Sequence, residues 1–285
     1  MDATRKQVVA NIREHVTAQR FNEPVEPGDA RLDGAQIRAL LRREIAMREH
    51  LPYKLKNMAA RILAKYGTLD FTRGMTIEGI EKMADIHGGA IITSNHFAPF
   101  DSSIIRMLNR RVRSKKMFTV SKDSNFAATG LFGFILRYTD LIPVSQDTGY
   151  MLETFEPMLR EVLESGHLLL IYPEQEMWWN YRKPRPLKRG SYLYAAKMKV
   201  PVIPCFTEMR EREETAGDGS RKLRFTLHVL DPIYPDPALS DKENSIRMME
   251  NDYSQKVAAY ERVYGKKLDY TFSAWDIAGI SESDI

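Results

Sequence analysis

The chain has 285 residues, 43% of them hydrophobic and 28% charged, with a formal net charge of +4. Such a composition supports a full globular core and excludes a disordered chain; the charge is too small to argue for nucleic acid, though it suits an anionic lipid surface or a phosphorylated substrate. The single cysteine, Cys205, excludes an intrachain disulfide and a cysteine-based zinc site and fits a reducing compartment. His87, His167 and His228 have no ligand-like spacing to carboxylates or to each other, so no metal site is expected.

Residues Met1 to Asn22 carry charges throughout and lack the apolar core of a secretory signal. A cytoplasmic protein is therefore expected, with a peripheral seat on the inner face of the membrane left open. Residues 1 to 30 read as a short helix and a Pro and Gly loop, Glu23 to Gly28, together a weakly tied arm. From Asp33 to Tyr66 two helical stretches separated near Pro52 predict a hairpin. Ile37, Leu40, Leu41 and Ile45 share one side of the first stretch, and Leu55, Met58, Ala59, Ile62 and Leu63 mark the second. Arg38, Arg42, Arg43, Lys54, Lys56, Arg61 and Lys65 accompany them. Two readings stand: a packing hairpin with a solvated face, or a basic amphipathic surface for anionic lipid.

After Gly67 short apolar runs alternate with helical periods. Strands are expected at Phe71 to Thr76, Ala90 to Ser94, Lys116 to Ser121, Asp140 to Val144, Leu168 to Tyr172, Pro201 to Phe206 and Leu223 to Leu230. Helices are expected at Ser102 to Arg111, Phe126 to Tyr138, Tyr150 to Glu164, Gly190 to Met198 and Ser240 to Tyr264. The hydrophilic stretch Glu208 to Lys222 reads as an exposed loop, and the most apolar run, Phe126 to Leu136, is well short of the roughly 20 residues that a membrane span needs. This alternation predicts an α/β fold: a largely parallel mixed sheet flanked by helices over residues 67–265, preceded by the arm and helical hairpin of residues 1–66 and followed by a tail at 266–285.

Ligands of such sheets sit at the carboxyl ends of the strands. There Ile91-Ile92-Thr93-Ser94-Asn95-His96-Phe97-Ala98-Pro99-Phe100-Asp101 runs from a strand into a helix start. An Asp in a first helical turn can accept a hydrogen bond from one ring nitrogen of His96, which leaves the other as a proton acceptor. By spacing alone a structural histidine is the commoner case. A second strand delivers Pro173 and Glu174 to its end; Arg182, Lys183, Arg185, Lys188 and Arg189 come after them, then Gly190. That basic run is either an anion cradle at a helix start or a solvated loop. Trp178 to Tyr181 either line a channel or membrane interface, or cover the end of the sheet. Cys205 reads as a small buried hydrophobe, not a nucleophile.

Taken in order, these pieces resemble the glycerolphosphate and lysophospholipid acyltransferase family, over about Phe71 to Leu230. The block of Asn-His, four residues and Asp is complete in Asn95, His96 and Asp101. The block of apolar residues and Pro-Glu-Gly-Thr-Arg keeps only Pro173 and Glu174, with Met177 where the arginine is expected. Lys188-Arg189-Gly190 matches a basic pair before Gly, and Val200-Pro201-Val202-Ile203-Pro204 matches the last block. A further family arginine is replaced by Gln146. The resemblance implies transfer of a fatty acyl group from acyl-CoA or acyl-carrier protein to a hydroxyl of a lysophospholipid-like or other glycerolipid acceptor, without a cofactor. It implies His96 as base and Asp101 as its orienter, with Asn95, Pro173, Glu174, Lys188, Arg189 and Gly190 on the substrate side. Neither Gln146 nor Met177 can pair with a phosphate dianion, so the acceptor is open. A lipid-binding protein without turnover and a hydrolase on the same fold are the competing readings.

Overall fold

In the computed structural model, which describes residues 1–26, 34–48, 50–112 and 116–281, the apolar runs form strands β1 (Thr76–Glu78), β2 (Ala90–Thr93), β3 (Met117–Lys122), β4 (Leu141–Val144), β5 (Leu168–Ile171), β6 (Val202–Thr215) and β7 (Arg221–Val229). They join in one sheet of order β1-β7-β6-β2-β5-β3-β4. Every pairing is parallel except β6 with β7. The helices are α1 (Ala3–Thr17), α2 (Gly34–Met47), α3 (Leu51–Gly67), α4 (Ser102–Val112), α5 (Gly130–Tyr138), α6 (Thr148–Tyr150), α7 (Glu156–Glu164), α8 (Gly190–Met198) and α9 (Asp241–Tyr264). This is the mixed, largely parallel α/β architecture that the alternation predicts.

The central strands are apolar in unbroken runs because both of their faces are covered. Ile92, Leu168, Leu170 and Ile203 pack with Ile104, Ile105 and Leu108 of α4 on one face. Ile91, Leu169 and Val202 pack with Leu159 of α7, Tyr192 and Ala195 of α8 and Met248 of α9 on the other. α9 also buries an ion pair, Lys256 Nζ to Asp252 Oδ1 at 2.7 Å. Tyr192 donates to Asp252 Oδ2 at 2.6 Å, and Lys256 donates to Thr93 Oγ1 at 3.0 Å. The pair thus ties α8 and α9 to the last residue of β2, and its remaining polar atoms find partners.

Four expectations are corrected. The strand predicted from Phe71 begins only at Thr76. Thr68 and Thr72 donate their hydroxyls back to the carbonyls of Ala64 and Thr68, which prolongs helical turns, and Gly74 turns the chain at φ 70°. The stretch Glu208 to Lys222 is mostly strand: β6 and β7 run on as an antiparallel ribbon from Cys205 opposite Val229 to Thr215 opposite Arg221. Most of its charges are exposed, although Glu208 is buried against His228, and Gly219 at φ 85° closes the turn. The helix predicted from Phe126 starts at Gly130, after a short 3-10 turn, Asp123–Ala127.

The largest correction concerns the N-terminal arm. α1 buries Val8, Val9, Ile12 and Val16 against Trp178, Trp179, Tyr181 and Ile277. This apolar stripe ties the arm firmly to the loop after β5, because each buried aliphatic side chain contributes roughly 1.5–3 kcal/mol. Pro27 and Gly28 of the predicted loop and Asp33 at the predicted hairpin start lie outside the described residues. The tail, for which the sequence supports no expectation, is also docked: Asp276, Ile277 and Ala278 are buried, and Ile277 bridges Tyr181.

Both helices of the expected hairpin, α2 and α3, are present, but they pack mainly on the body, α2 beside the turn Asp123–Ala127 and α3 beside α5. The polar Asn57 of α3 faces the body and donates to Tyr138 O and Asp140 Oδ1, and Ala60 is buried. Leu51, Leu55, Met58, Ile62, Tyr66 and the following Leu69, spaced at helical intervals, are all at least half exposed. No helix among the described residues is long and apolar enough to cross a membrane.

Two stability measurements test these contacts. Ile12→Ala is expected to cost about 2–5 kcal/mol in chemical denaturation, the range for truncating a buried aliphatic side chain, whereas an arm in solution would show no change. Lys256→Met leaves Asp252 charged and buried without its partner and is expected to cost about 3–5 kcal/mol in the same assay.

Candidate active site

β2 and β5 are adjacent and parallel, with Thr93 opposite Ile171. Their two succeeding loops therefore emerge side by side at the carboxyl end of the sheet: Ser94 to Asp101 from β2, Tyr172 to Glu174 from β5. Asn95 is buried and pins the first loop to β6, donating to Thr207 O at 3.1 Å and accepting from Thr207 N at 2.8 Å. The second loop pairs with the first through the backbone, Trp178 N to His96 O at 3.1 Å and Asn180 N to Phe97 O at 2.9 Å.

His96 Nδ1 lies 2.8 Å from Asp101 Oδ2. Asp101 immediately precedes α4 and is buried, and the same oxygen accepts from Phe97 N and Ala98 N at 2.9 and 3.2 Å. An ionised carboxylate only accepts, so Nδ1 carries the proton and Nε2 the lone pair. Among the described residues Nε2 has no partner, and the side chain is 21% exposed. A partly open imidazole with a fixed tautomer and a free acceptor nitrogen is equipped to remove a proton from a hydroxyl.

Glu174 is buried and spends its carboxylate inside the protein. It accepts from His96 N at 3.3 Å and Arg185 N at 3.0 Å, and forms an ion pair with Arg185 Nη2 at 2.8 Å. Of the roles open to it, ordering the cleft fits this geometry and touching substrate does not. Arg185 in turn donates to Phe21 O at 2.8 Å and lies 4.6 Å over the Trp178 ring. Asn22 donates to Glu174 O and Pro186 O, and Trp178 Nε1 donates to Glu23 O. The arm and the loops after β2 and β5 are one stitched unit.

Both readings of the basic run, anion cradle and solvated loop, are corrected by these contacts at three of its five cations. Arg182 pairs with Glu211 at 3.0 Å and Lys183 with Asp276 at 3.0 Å, so they and Arg185 are buried as internal counter-ions. Only Lys188, Arg189 and Gly190 are exposed, at the start of α8, with Lys188 N held by Pro173 O at 2.8 Å. Pro173 is itself buried. Trp178 to Tyr181 are buried under α1, as covers of the sheet's end and not as a channel or membrane wall.

Two side chains at the site escape motif reading. Tyr172 stacks on His96 with centroids 4.0 Å apart and 14° between planes, and its hydroxyl donates to Asp101 Oδ1 at 2.6 Å. Burial, and next the neighbouring Asp101 charge, push its phenol well above its ordinary range, so it remains a donor. Lys122 ends β3, 3.7 Å from Glu176. Both sit at carboxyl ends of parallel strands, which was the available signal.

Comparison with known proteins agrees with this geometry. A family model described as Acyltransferase matches residues 74–208. No curated relative matches the chain. Among solved structures, the chain is similar to the 1-acyl-sn-glycerophosphate (LPA) acyltransferase PlsC from Thermotoga maritima, at 17% identity and a TM-score of 0.51, over 92% of this chain and 97% of that one. The matched segment contains both loops that carry His96, Asp101 and Glu174, and it coincides with the part of the chain whose sequence blocks resemble the acyltransferase family.

Proposed function

We propose that the protein transfers a fatty acyl group from an acyl thioester, acyl-CoA or acyl-carrier protein, to a hydroxyl of a lysophospholipid-like or other glycerolipid acceptor. The observation that carries this reading is the His96 Nδ1 to Asp101 Oδ2 contact of 2.8 Å, with Nε2 unpartnered among the described residues, inside the segment that the family model matches. Nε2 removes the acceptor's hydroxyl proton as its oxygen attacks the thioester carbonyl. The tetrahedral intermediate then breaks its carbon–sulfur bond, and the departing thiolate takes the proton back from the imidazolium. Asp101 remains a carboxylate and holds the ring. Lys188 and Arg189, the solvent-facing cations at the start of α8, are the proposed contacts for an anionic group of donor or acceptor.

The reading includes a peripheral seat on a membrane, where such acceptors reside. Its support is the outward apolar stripe of α3, flanked by exposed Lys54, Arg61 and Lys65. α3 packs beside α5, whose exposed Phe132 meets the exposed Phe100 edge-on at 6.0 Å, in the loop that carries His96. An apolar surface thus runs from the hairpin to the catalytic loop.

Purified protein given oleoyl-CoA and a panel of lysophospholipids is expected to release free thiol in step with an acylated acceptor seen by mass spectrometry. His96→Ala and Asp101→Asn, both folded by circular dichroism, are expected to lose about 10²–10⁴-fold in rate. Undiminished transfer by His96→Ala removes the proposed base; fatty acid without acylated product makes the enzyme a hydrolase, and binding without thiol release makes it a lipid-binding protein.

Co-sedimentation tests the seat: binding to vesicles with anionic lipid is expected, weakened by salt. The double change Met58→Glu and Ile62→Glu is expected to abolish it while leaving the melting temperature unchanged, since neither side chain is packed in the core.

A further inference from the structure

The residue after β5 is placed by the sheet itself. Leu168 and Leu170 point to the α4 face, and with period-two alternation Tyr172 continues to the same side and packs on that cluster. That is the side on which Asp101 opens α4, and β2 delivers His96 to the neighbouring position. The tyrosine meets both, with its ring against the imidazole and its hydroxyl on the carboxylate.

We propose that Tyr172 is a positioning residue for the His96–Asp101 pair: its ring fixes the plane of the imidazole, and its hydroxyl occupies the carboxylate oxygen that the imidazole does not use. This rests on the acyl-transfer reading above. Asp101 Oδ2 already accepts from His96 and two backbone amides, while Oδ1 has Tyr172 as its donor. Without that donor, Oδ1 would be a buried carboxylate oxygen with unmet hydrogen-bonding capacity, a costly state that favours rotation of the carboxylate or a shift of its charge toward Oδ2. With it, both oxygens are committed and the carboxylate cannot turn.

The stack has a second effect. One face of the imidazole is covered, so a hydroxyl must reach Nε2 in the ring plane, where the lone pair points. Tyr172 makes no claim on the reacting atoms themselves. Neighbouring charges do not replace it: Arg106 of α4 turns its guanidinium to Met117 O and Thr139 O, and Glu174 and Arg185 meet His96 only at its backbone N–H and C=O.

Removing the hydroxyl also changes the pH dependence. It concentrates the carboxylate charge on the oxygen that faces the imidazole, which favours imidazolium. Activity needs the neutral ring, so the acid limb of the rate profile moves to higher pH.

The test uses thiol release from oleoyl-CoA with whichever lysophospholipid of the panel supports turnover, comparing wild type, Tyr172→Phe, Tyr172→Leu and His96→Ala. Tyr172→Phe keeps the stack and loses the hydroxyl; kcat is expected to fall roughly tenfold, with KM for both substrates unchanged and the acid limb of kcat/KM shifted upward. Tyr172→Leu is expected to lose more rate, because the ring is gone as well. If Tyr172→Leu does not fold, the near-isosteric Phe variant and its pH limb decide alone. A Phe variant with wild-type kcat and pH limb overturns the proposal, as does a loss of activity that only tracks the folded fraction with an unmoved limb. Failure of the underlying reading looks different: there His96→Ala retains transfer whatever Tyr172 does.

Discussion

The buried ion pair between Glu174 and Arg185 is the joint on which the site depends. Taking two charges out of water is expensive, and their attraction offsets the cost only when every remaining donor and acceptor is satisfied. Here they are. The guanidinium bonds Glu174 through Nε and Nη2 and reaches the carbonyls of Phe21, Glu176 and His96, while the carboxylate also receives the amides of His96 and Arg185. Arginine is suited to this because its planar fork meets several acceptors at fixed angles and its face stacks on Trp178. One pair thus holds the loop after β2, the loop after β5 and the N-terminal arm in a single arrangement.

That joint also bears on the altered sequence block. The block that this segment resembles has an arginine after Pro-Glu, where this chain has Met177; Glu174 itself is engaged by Arg185, further along the same loop. The carboxylate is therefore neutralised from within the protein. A lysine at position 185 would carry the same charge but not the same set of partners, since one ammonium cannot span Phe21 O, Glu176 O and both contacts to Glu174.

The parts of the fold legible in the sequence are those in which local pattern and burial agree. Ile91 and Ile92, or Leu168 to Leu170, are buried on both faces and flanked by polar turns, so they read as central strands. His96, Asp101 and Glu174 were visible because they stand at the ends of those strands. Elsewhere the deciding partner is remote. Val8, Val9, Ile12 and Val16 form a modest stripe whose meaning comes from Trp178, and nothing local announces that contact. Arg182, Lys183 and Arg185 look like a solvated or ligand-binding run until Glu211, Asp276 and Glu174 fold against them. In α3 the pattern misleads in the opposite sense: the apolar face is the outer one, and the inner face is held by Asn57, whose amide satisfies the carbonyl that ends α5. The β6 and β7 ribbon is buried at its base, at Met209 and Phe225, and charged where it runs on into water, and strand propensity there is secondary to pairing with the partner strand.

With three of the five cations of the basic run consumed as internal counter-ions, little fixed positive charge remains for a substrate. Lys188 and Arg189 are exposed, and exposed cations attract an anion weakly and in a manner screened by salt. A bidentate clamp on a phosphate, of the kind that the missing arginines would supply, has no counterpart at Gln146 or Met177. Under the acyl-transfer reading, selection of the acceptor therefore falls less on its phosphate than on the direction from which its hydroxyl arrives. The stack of Tyr172 on His96 closes one face of the imidazole, and the apolar surface through Phe100 and Phe132 borders the catalytic loop. A hydroxyl carried on a lipid embedded in that surface meets Nε2 without needing a strong headgroup anchor, because the membrane supplies the confinement that binding charge would otherwise provide.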